Sequence, residues 1–168
     1  MNIALIGHRG TGKTSIAKLL TKKLDKKLIS TDEEVSKKLR TNIPNFVRKK
    51  GWEKYHEIES EVIENLSDYD ECVFDTGCCA IIRNENVINL KKSSLIIMLT
   101  SDSKTLASRQ KKSNPNASYK KYFDDLASIL QKHEPKFANA ADYTIDTSRL
   151  SPEEACNLIM HYIQMELK

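Results

Sequence analysis

Short apolar runs alternate with amphipathic stretches along the whole chain. The runs at 2–6, 27–30, 72–75, 94–99 and 143–146 are too short for helices and read as buried strands. Between them, apolar positions recur every three or four residues over 13–24, 32–39, 43–50, 52–66, 103–111, 119–133 and 152–166, the period of helices with one buried face. Strands alternating with helices predict a three-layer α/β fold, a five-stranded parallel sheet with helices on both faces. No repeat, low-complexity tract or linker divides the sequence, so 1–168 reads as a single domain. Ligands of such sheets bind beyond the carboxyl ends of the strands, which places Asp32, Gly77 and Thr100 on one rim.

One junction in this pattern carries explicit chemistry. The first strand runs directly into Gly7-x-x-x-x-Gly12-Lys13-Thr14, and Ile16, Leu19, Leu20 and Leu24 follow at helical spacing. Strand, glycine loop and helix are the setting in which this spacing acts as a phosphate-binding loop. Gly7, Gly10 and Gly12 allow the backbone to curl so that the amides of Gly10, Thr11, Gly12, Lys13, Thr14 and Ser15 point at a polyphosphate, at the positive end of the helix. Lys13 is expected to reach the β- and γ-phosphates and the Thr14 hydroxyl to ligate Mg²⁺, which makes ATP or GTP the expected ligand.

Composition narrows the surroundings of that loop. A chain of 168 residues with 39% hydrophobic and 30% charged positions has the size and balance of one globular core. The net charge of +4 comes from lysines scattered among carboxylates, and the aromatic residues form no stacking platform, so no nucleic-acid partner is expected. No apolar run reaches membrane-spanning length, and the first residues enter a strand without a signal or transit pattern. A cytoplasmic monomer acting on a small molecule, without a membrane partner, is the expectation. Cys72, Cys78, Cys79 and Cys156 lack the paired spacing of a zinc site.

Phosphoryl transfer needs a carboxylate near the attacking hydroxyl, and Asp32, directly past the second strand, is the candidate. Thr31 and Asp32 are also good helix-capping residues, a structural role compatible with the catalytic one. Asp75 closes the third strand, where an acidic residue can hold Mg²⁺ through water. The polar, turn-rich segment 111–120 lies where a lid that excludes water belongs, a placement that favours a lid over a plain connector between two helices.

These residues fall in the order of a known family. Gly-His-Arg-Gly-Thr-Gly-Lys-Thr at 7–14 and Ser-Thr-Asp-Glu-Glu-Val at 30–35 resemble the shikimate kinases. So do Asn42-Ile-Pro-Asn-Phe-Val with Gly51-Trp-Glu-Lys-Tyr-His-Glu-Ile-Glu59, and Asp75-Thr76-Gly77. The Arg109 region, His133-Glu-Pro-Lys-Phe137 and Ile145-Asp146-Thr147 extend the likeness over essentially the whole chain. The resemblance implies a nucleoside-monophosphate-kinase-like P-loop core with a lid, Mg-ATP as donor and a small hydroxylated acceptor. It implies Lys13 and Asp32 as catalytic residues, Thr14 and Asp75 at the metal, and Arg109 and Pro152 beside the adenine. It places Tyr55, His56, Gly77, Cys78, Cys79 and His133 with Asp32 around the acceptor, and Ile43 and Val47 in its apolar wall.

The departures from the family pattern cluster at the acceptor. Phe-Arg of the Gly-Glu-x-x-Phe-Arg-x-x-Glu motif is Tyr55-His56, Gly-Gly-Gly is Gly77-Cys78-Cys79, and Arg-x-Pro-x-Tyr is His133-Glu-Pro-Lys-Phe137. The lid Arg-Pro is Asn114-Pro115, and Ser30 stands where many members carry a metal-supporting aspartate. By that resemblance, two of the missing arginines grip the carboxylate of shikimate. A histidine offers one titratable donor where an arginine offers a fixed fork, so the acceptor half reads as rebuilt. His56 also has an ordinary structural reading as a partner of Glu59, and His133 as a helix-end residue. Lys111, Lys112, Lys120 and Lys121 could stand in for the lid arginine as point charges or could be plain surface. The sequence thus predicts a kinase for a small alcohol, shikimate being the family default and an altered acceptor being favoured. The alternative is a weak or inactive nucleotide-binding module acting as a sensor. A nucleoside monophosphate kinase ranks last, because few arginines fall in the acceptor region.

Overall fold

The structure is a computed structural model that describes residues 1–113 and 117–168. Its centre is a five-stranded sheet in the order β2-β3-β1-β4-β5, parallel at every pairing. The strands are β1 (Asn2–Gly7), β2 (Lys27–Ser30), β3 (Cys72–Asp75), β4 (Ser94–Thr100) and β5 (Tyr143–Asp146). Every residue of β1 is buried, as a central strand covered on both faces must be. The pleat splits its side chains between two cores: Ile3 and Leu5 face one, Ala4 and Ile6 the other, and Leu95, Ile97 and Leu99 alternate with Ile96 and Met98 on β4 in the same way.

The first core is closed by α1 (Lys13–Leu24) and α9 (Pro152–Glu166), through Ile16, Ala17 and Leu20 packed with Ala155, Cys156, Ile159 and Ile163. The second is larger and lies under α2 (Thr31–Leu39), α3 (Ile43–Lys50), α4 (Trp52–Leu66), α5 (Asn84–Ser93), α7 (Lys120–Lys132) and α8 (Glu134–Ala140). A further helix, α6 (Ser103–Lys112), buries no residue of its own and stands beside the glycine loop instead.

Local signals start these helices where the sequence suggests. Asn42 accepts from the Asn45 amide at 2.8 Å, Asp102 from the Thr105 amide at 2.7 Å, and Ser151 forms a reciprocal capping box with Glu154. At α2 the cap is Ser30, which accepts from the Glu33 amide at 3.3 Å. Neither Thr31 nor Asp32 is spent on capping, because the cap is Ser30, the residue before Thr31. Thr31 and Asp32 are thereby free to face the sheet rim.

Two helices escape the periodicity analysis. In α5 three asparagines interrupt the pattern, Ile88 points to solvent and Asn86 points into the core, so the apolar stripe is nearly erased. The seven residues of α8 span barely two turns and carry Pro135 in the first, which reads as a breaker although proline is tolerated there.

The glycine loop itself is held by sterics. Gly7 has φ +147°, and a Cβ built on it would lie 2.4 Å from the Leu99 carbonyl oxygen of the neighbouring strand. Backbone cannot yield as a side-chain tip can, so Gly7→Ala combines left-handed strain with a clash. We expect it to lower unfolding stability by roughly 3 kcal/mol or more, read from the urea midpoint, while a conservative change at exposed Ile88 leaves that midpoint unmoved.

Candidate active site

The carboxyl ends of β1, β2 and β3 open into one cavity of about 690 Å³, and Thr100, expected on the same rim, is not among its lining residues. From the P-loop and α1 it is lined by Arg9, Gly10, Gly12, Lys13, Thr14 and Ser15; from the ends of β2 and β3, by Ser30, Asp32, Asp75, Gly77, Cys78 and Cys79. Arg109 of α6 lines the same cavity, and Tyr55, Ile43, Tyr122 and Phe123 close its far wall. Most residues chosen from sequence therefore come together. The exceptions do not line this cavity: Thr11 is buried behind the loop, Pro152 is an exposed first residue of α9, His56 is buried in α4, and His133 caps α7. Val47 faces a smaller neighbouring pocket with Trp52 and Tyr122. Asn114 and Pro115, the core of the expected lid, lie outside the described residues.

At the loop end, Gly10 and Gly12 take φ +91° and +97°, and Gly12 is the left-handed residue at the start of α1. Lys13 folds back over the loop, its ammonium donating to the carbonyls of Gly7 at 2.8 Å and His8 at 3.0 Å. Thr14 donates from its hydroxyl to Asp75 Oδ2 at 2.7 Å, which puts a hydroxyl and a carboxylate oxygen side by side at the mouth of the loop. An oxygen pair of this kind suits Mg²⁺, which prefers few protein ligands and takes the rest from phosphate and water.

A second set of bonds fixes the loop from behind. The Thr147 hydroxyl donates toward the carbonyls of Thr11 at 2.8 Å and Thr100 at 3.0 Å. Arg109 donates to Gly10 O at 3.1 Å, Thr147 Oγ1 at 3.1 Å and Thr147 O at 2.8 Å. Three chain segments are thus clamped together around the donor end. Thr147 was visible in sequence only as part of a family motif; its place immediately after a strand is the signal that points to such a role.

Asp32 lies at the junction of the two halves. The Gly77 amide donates to Thr31 Oγ1 at 2.7 Å, tying the end of β3 to the start of α2. A Cβ on Gly77 would meet Asp32 Oδ1 at 2.2 Å, so the carboxylate occupies the space that any side chain there would need. Burial, followed by the neighbouring carboxylates Glu59 and Asp75, raises the Asp32 pKa from the ordinary 3.8 to about 7, with Lys13 pulling the other way. A carboxylate that ionises near neutrality has the basicity wanted of a proton acceptor.

The far wall is aromatic and acidic. The Tyr55 hydroxyl donates to Glu59 Oε2 at 2.8 Å, and Glu59 is buried. His56 Nδ1 comes no nearer to Glu59 Oε1 than 3.7 Å and has no hydrogen-bond partner. Trp52 stacks on Tyr122 at 5.2 Å and meets Tyr55 edge-on at 5.8 Å. Arg9 lies 4.2 Å above the Phe123 ring. Burial pushes the Cys78 and Cys79 thiols up, so both stay protonated at neutral pH and behave as small apolar groups. Lys120 and Lys121 pair with Asp124 and Asp125 one turn along α7. Tyr122 and Phe123 are wall residues that sequence reasoning missed; their place on the apolar face of a helix beside the lid segment was the available signal.

A glycine loop at a central strand, a threonine–aspartate oxygen pair and a carboxylate of raised pKa on a five-stranded parallel sheet define an ATP-dependent kinase of the P-loop class. More specifically, this chain belongs to the shikimate kinase family, whose model matches residues 9–164. It is 34% identical over 161 residues to the shikimate kinase of Thermodesulfovibrio yellowstonii, covering 95% of this chain and 92% of that one. With the shikimate kinase of Caldicellulosiruptor bescii it shares 33% over 161 residues, covering 95% and 93%. Among solved structures, shikimate kinase from Acinetobacter baumannii in complex with shikimate superposes with a TM-score of 0.85 at 25% identity, over 98% of this chain and 93% of that one.

Two substitutions test this geometry. Gly77→Ala should displace the Asp32 carboxylate and cut turnover at least tenfold in steady-state assays, with stability little changed. Asp32→Asn tests the electrostatics through pH. A carboxylate whose folded pKa is about 7 stabilises the fold fully below the ordinary 3.8 and loses that contribution as pH rises through 7. The Asn variant lacks this loss, so its thermal midpoint should exceed the parent's at pH 8, with the gap shrinking toward pH 4.

Proposed function

We propose that the chain transfers the γ-phosphoryl group of Mg-ATP to a hydroxyl of a small molecule, and that shikimate is not its best acceptor. The observation that carries this reading is that neither His56 nor His133, which stand where the family pattern has arginines, is among the lining residues of the cavity. Of the lining cations, Lys13 and Arg109 are bonded at the loop end, and Arg9 is held over the Phe123 ring.

Lys13 and the loop amides would hold the donor phosphates, with Lys13 exchanging its carbonyl partners for phosphate oxygens. Thr14 and Asp75 would hold Mg²⁺, which neutralises charge on the phosphates when bound. Asp32 would orient the acceptor hydroxyl and take its proton as the oxygen attacks. Positioning supplies most of the rest, since phosphoryl transfer asks little covalent chemistry of the protein.

Shikimate, bound by the solved relative from Acinetobacter baumannii, is a carboxylate. Leaving such a group without a charge-assisted partner in a closed site costs about 2–5 kcal/mol. His56, turned away from the cavity with Nδ1 buried, is a poor substitute for a guanidinium fork.

Purified protein incubated with Mg-ATP and shikimate should therefore release ADP far below the 1–100 per second typical of kinases, on the order of a hundredfold or more. Turnover in that range with micromolar KM would contradict the altered acceptor. With the preferred acceptor, Asp32→Asn should lower kcat by about 10²–10⁴. The acidic limb of kcat/KM for the parent enzyme should have its midpoint near pH 7, where the Asp32 carboxyl ionises.

A further inference from the structure

The phosphate loop is held in shape from its outer side. Gly10 and Gly12 take φ +91° and +97°, conformations that glycine permits but does not enforce. Each carbonyl from Gly7 to Thr11 accepts a side-chain donor. Lys13 takes those of Gly7 and His8, Gln110 Nε2 donates to Arg9 O at 2.7 Å, Arg109 to Gly10 O at 3.1 Å, and the Thr147 hydroxyl to Thr11 O at 2.8 Å. In a planar trans peptide the carbonyl and the following N–H point in opposite directions. Anchoring the Arg9 and Thr11 carbonyls therefore turns the amides of Gly10 and Gly12 the other way, and these two residues line the cavity. Thr11, between them, does not, and its amide closes on His8 O at 3.3 Å.

The origin of these donors is a second observation. Gln110 and Arg109 stand on α6, which buries no residue of its own. The start of α6 is fixed by a polar contact, the Asp102 amide donating to Ser148 Oγ at 2.9 Å. Its last turns lie against the loop, since a Cβ built on Gly10 would meet Gln110 Cγ at 3.3 Å and Leu106 Cδ2 at 3.6 Å. Most helices are placed by an apolar face, whereas this one is placed by hydrogen bonds at both ends. Thr147 follows β5 and is buried, and its Oγ1 accepts from Arg109 Nη1 at 3.1 Å, so α6 and the end of β5 meet at one hydroxyl.

We propose that Gln110 and Thr147 are positioning residues for nucleotide binding: neither lines the cavity, and together they set the loop amides that face the phosphates. This rests on the kinase reading above and concerns the donor half of that site. With the Arg9 or Thr11 carbonyl released, the ligand itself has to order the glycine beside it. Ordering one backbone residue at the moment of binding weakens affinity by roughly a factor of ten. The loss falls on the phosphates and is independent of the base, because these bonds act on the loop backbone alone.

The test is calorimetric titration of Mg-ADP and, separately, of Mg-tripolyphosphate, which has the phosphates without a base, into the parent and three variants. Gln110→Met keeps the length of the side chain and removes its donor; Thr147→Val removes the hydroxyl at nearly constant shape; Thr147→Ser keeps it. Gln110→Met and Thr147→Val should each raise the Kd of both ligands by the same factor, about tenfold, while Thr147→Ser stays within about threefold of the parent. A variant of either residue that binds both ligands as the parent does overturns the role of that residue. Weaker Mg-ADP with unchanged tripolyphosphate overturns the proposal too, since the bonds would then serve the base. So does a Ser variant as weak as the Val variant, which would assign the loss to packing. Should Thr147→Val fail to fold, Gln110→Met decides alone, because α6 contributes no buried residue. A parent that binds neither ligand overturns the kinase reading itself.

Discussion

The 2.7 Å bond from the Gly77 amide to Thr31 Oγ1 joins the two functions of this molecule. On one side of it lies β3, whose Asp75 meets Thr14 and thereby the phosphate loop; on the other begins α2, which carries Asp32. The bond requires Thr31 to be free, which Ser30 allows by capping the helix in its place. It also requires residue 77 to lack a side chain, because Asp32 fills that space. Local helix chemistry, the steric emptiness of one glycine and the position of a carboxylate are in this way a single constraint.

From that constraint the division of the cavity follows. Backbone amides, Lys13 and the Arg109–Thr147 clamp make the loop end positive and rigid, suited to polyphosphate. The wall beyond Asp32 is built from the buried Glu59–Tyr55 pair and an aromatic cluster. Asp32 stands between a cation and two carboxylates, and burial with those carboxylates outweighs Lys13 in raising its pKa. Family membership concerns the whole chain, but these two ends of the cavity differ in how much they leave to the family pattern.

The donor half was legible in the sequence because its chemistry is local. Gly7, Gly12, Lys13 and Thr14 are adjacent in the chain, and the strand and helix that flank them are strongly patterned. Five strands and seven helices were readable for the same reason, whereas α5 and α8 were not, since Asn86 sits inside the core and Pro135 inside a helical turn. The acceptor wall depends on contacts between distant elements: Tyr122 against Trp52, Arg9 over Phe123, Glu59 behind Tyr55. Spacing could bring His56 near Glu59 but could not show that the imidazole is turned away from the cavity, nor that the tyrosine one residue earlier takes the carboxylate instead.

The central claim is that the acceptor end, where His56 and His133 stand in place of the family pattern's arginines and neither lines the cavity, does not receive the carboxylate of shikimate. Calorimetric titration of shikimate into the protein saturated with Mg-ADP tests it most directly, because binding is read without depending on catalysis. The account predicts no saturable heat up to millimolar shikimate, while Mg-ADP itself binds tightly in the preceding titration. A stoichiometric isotherm with a Kd in the micromolar range would contradict it.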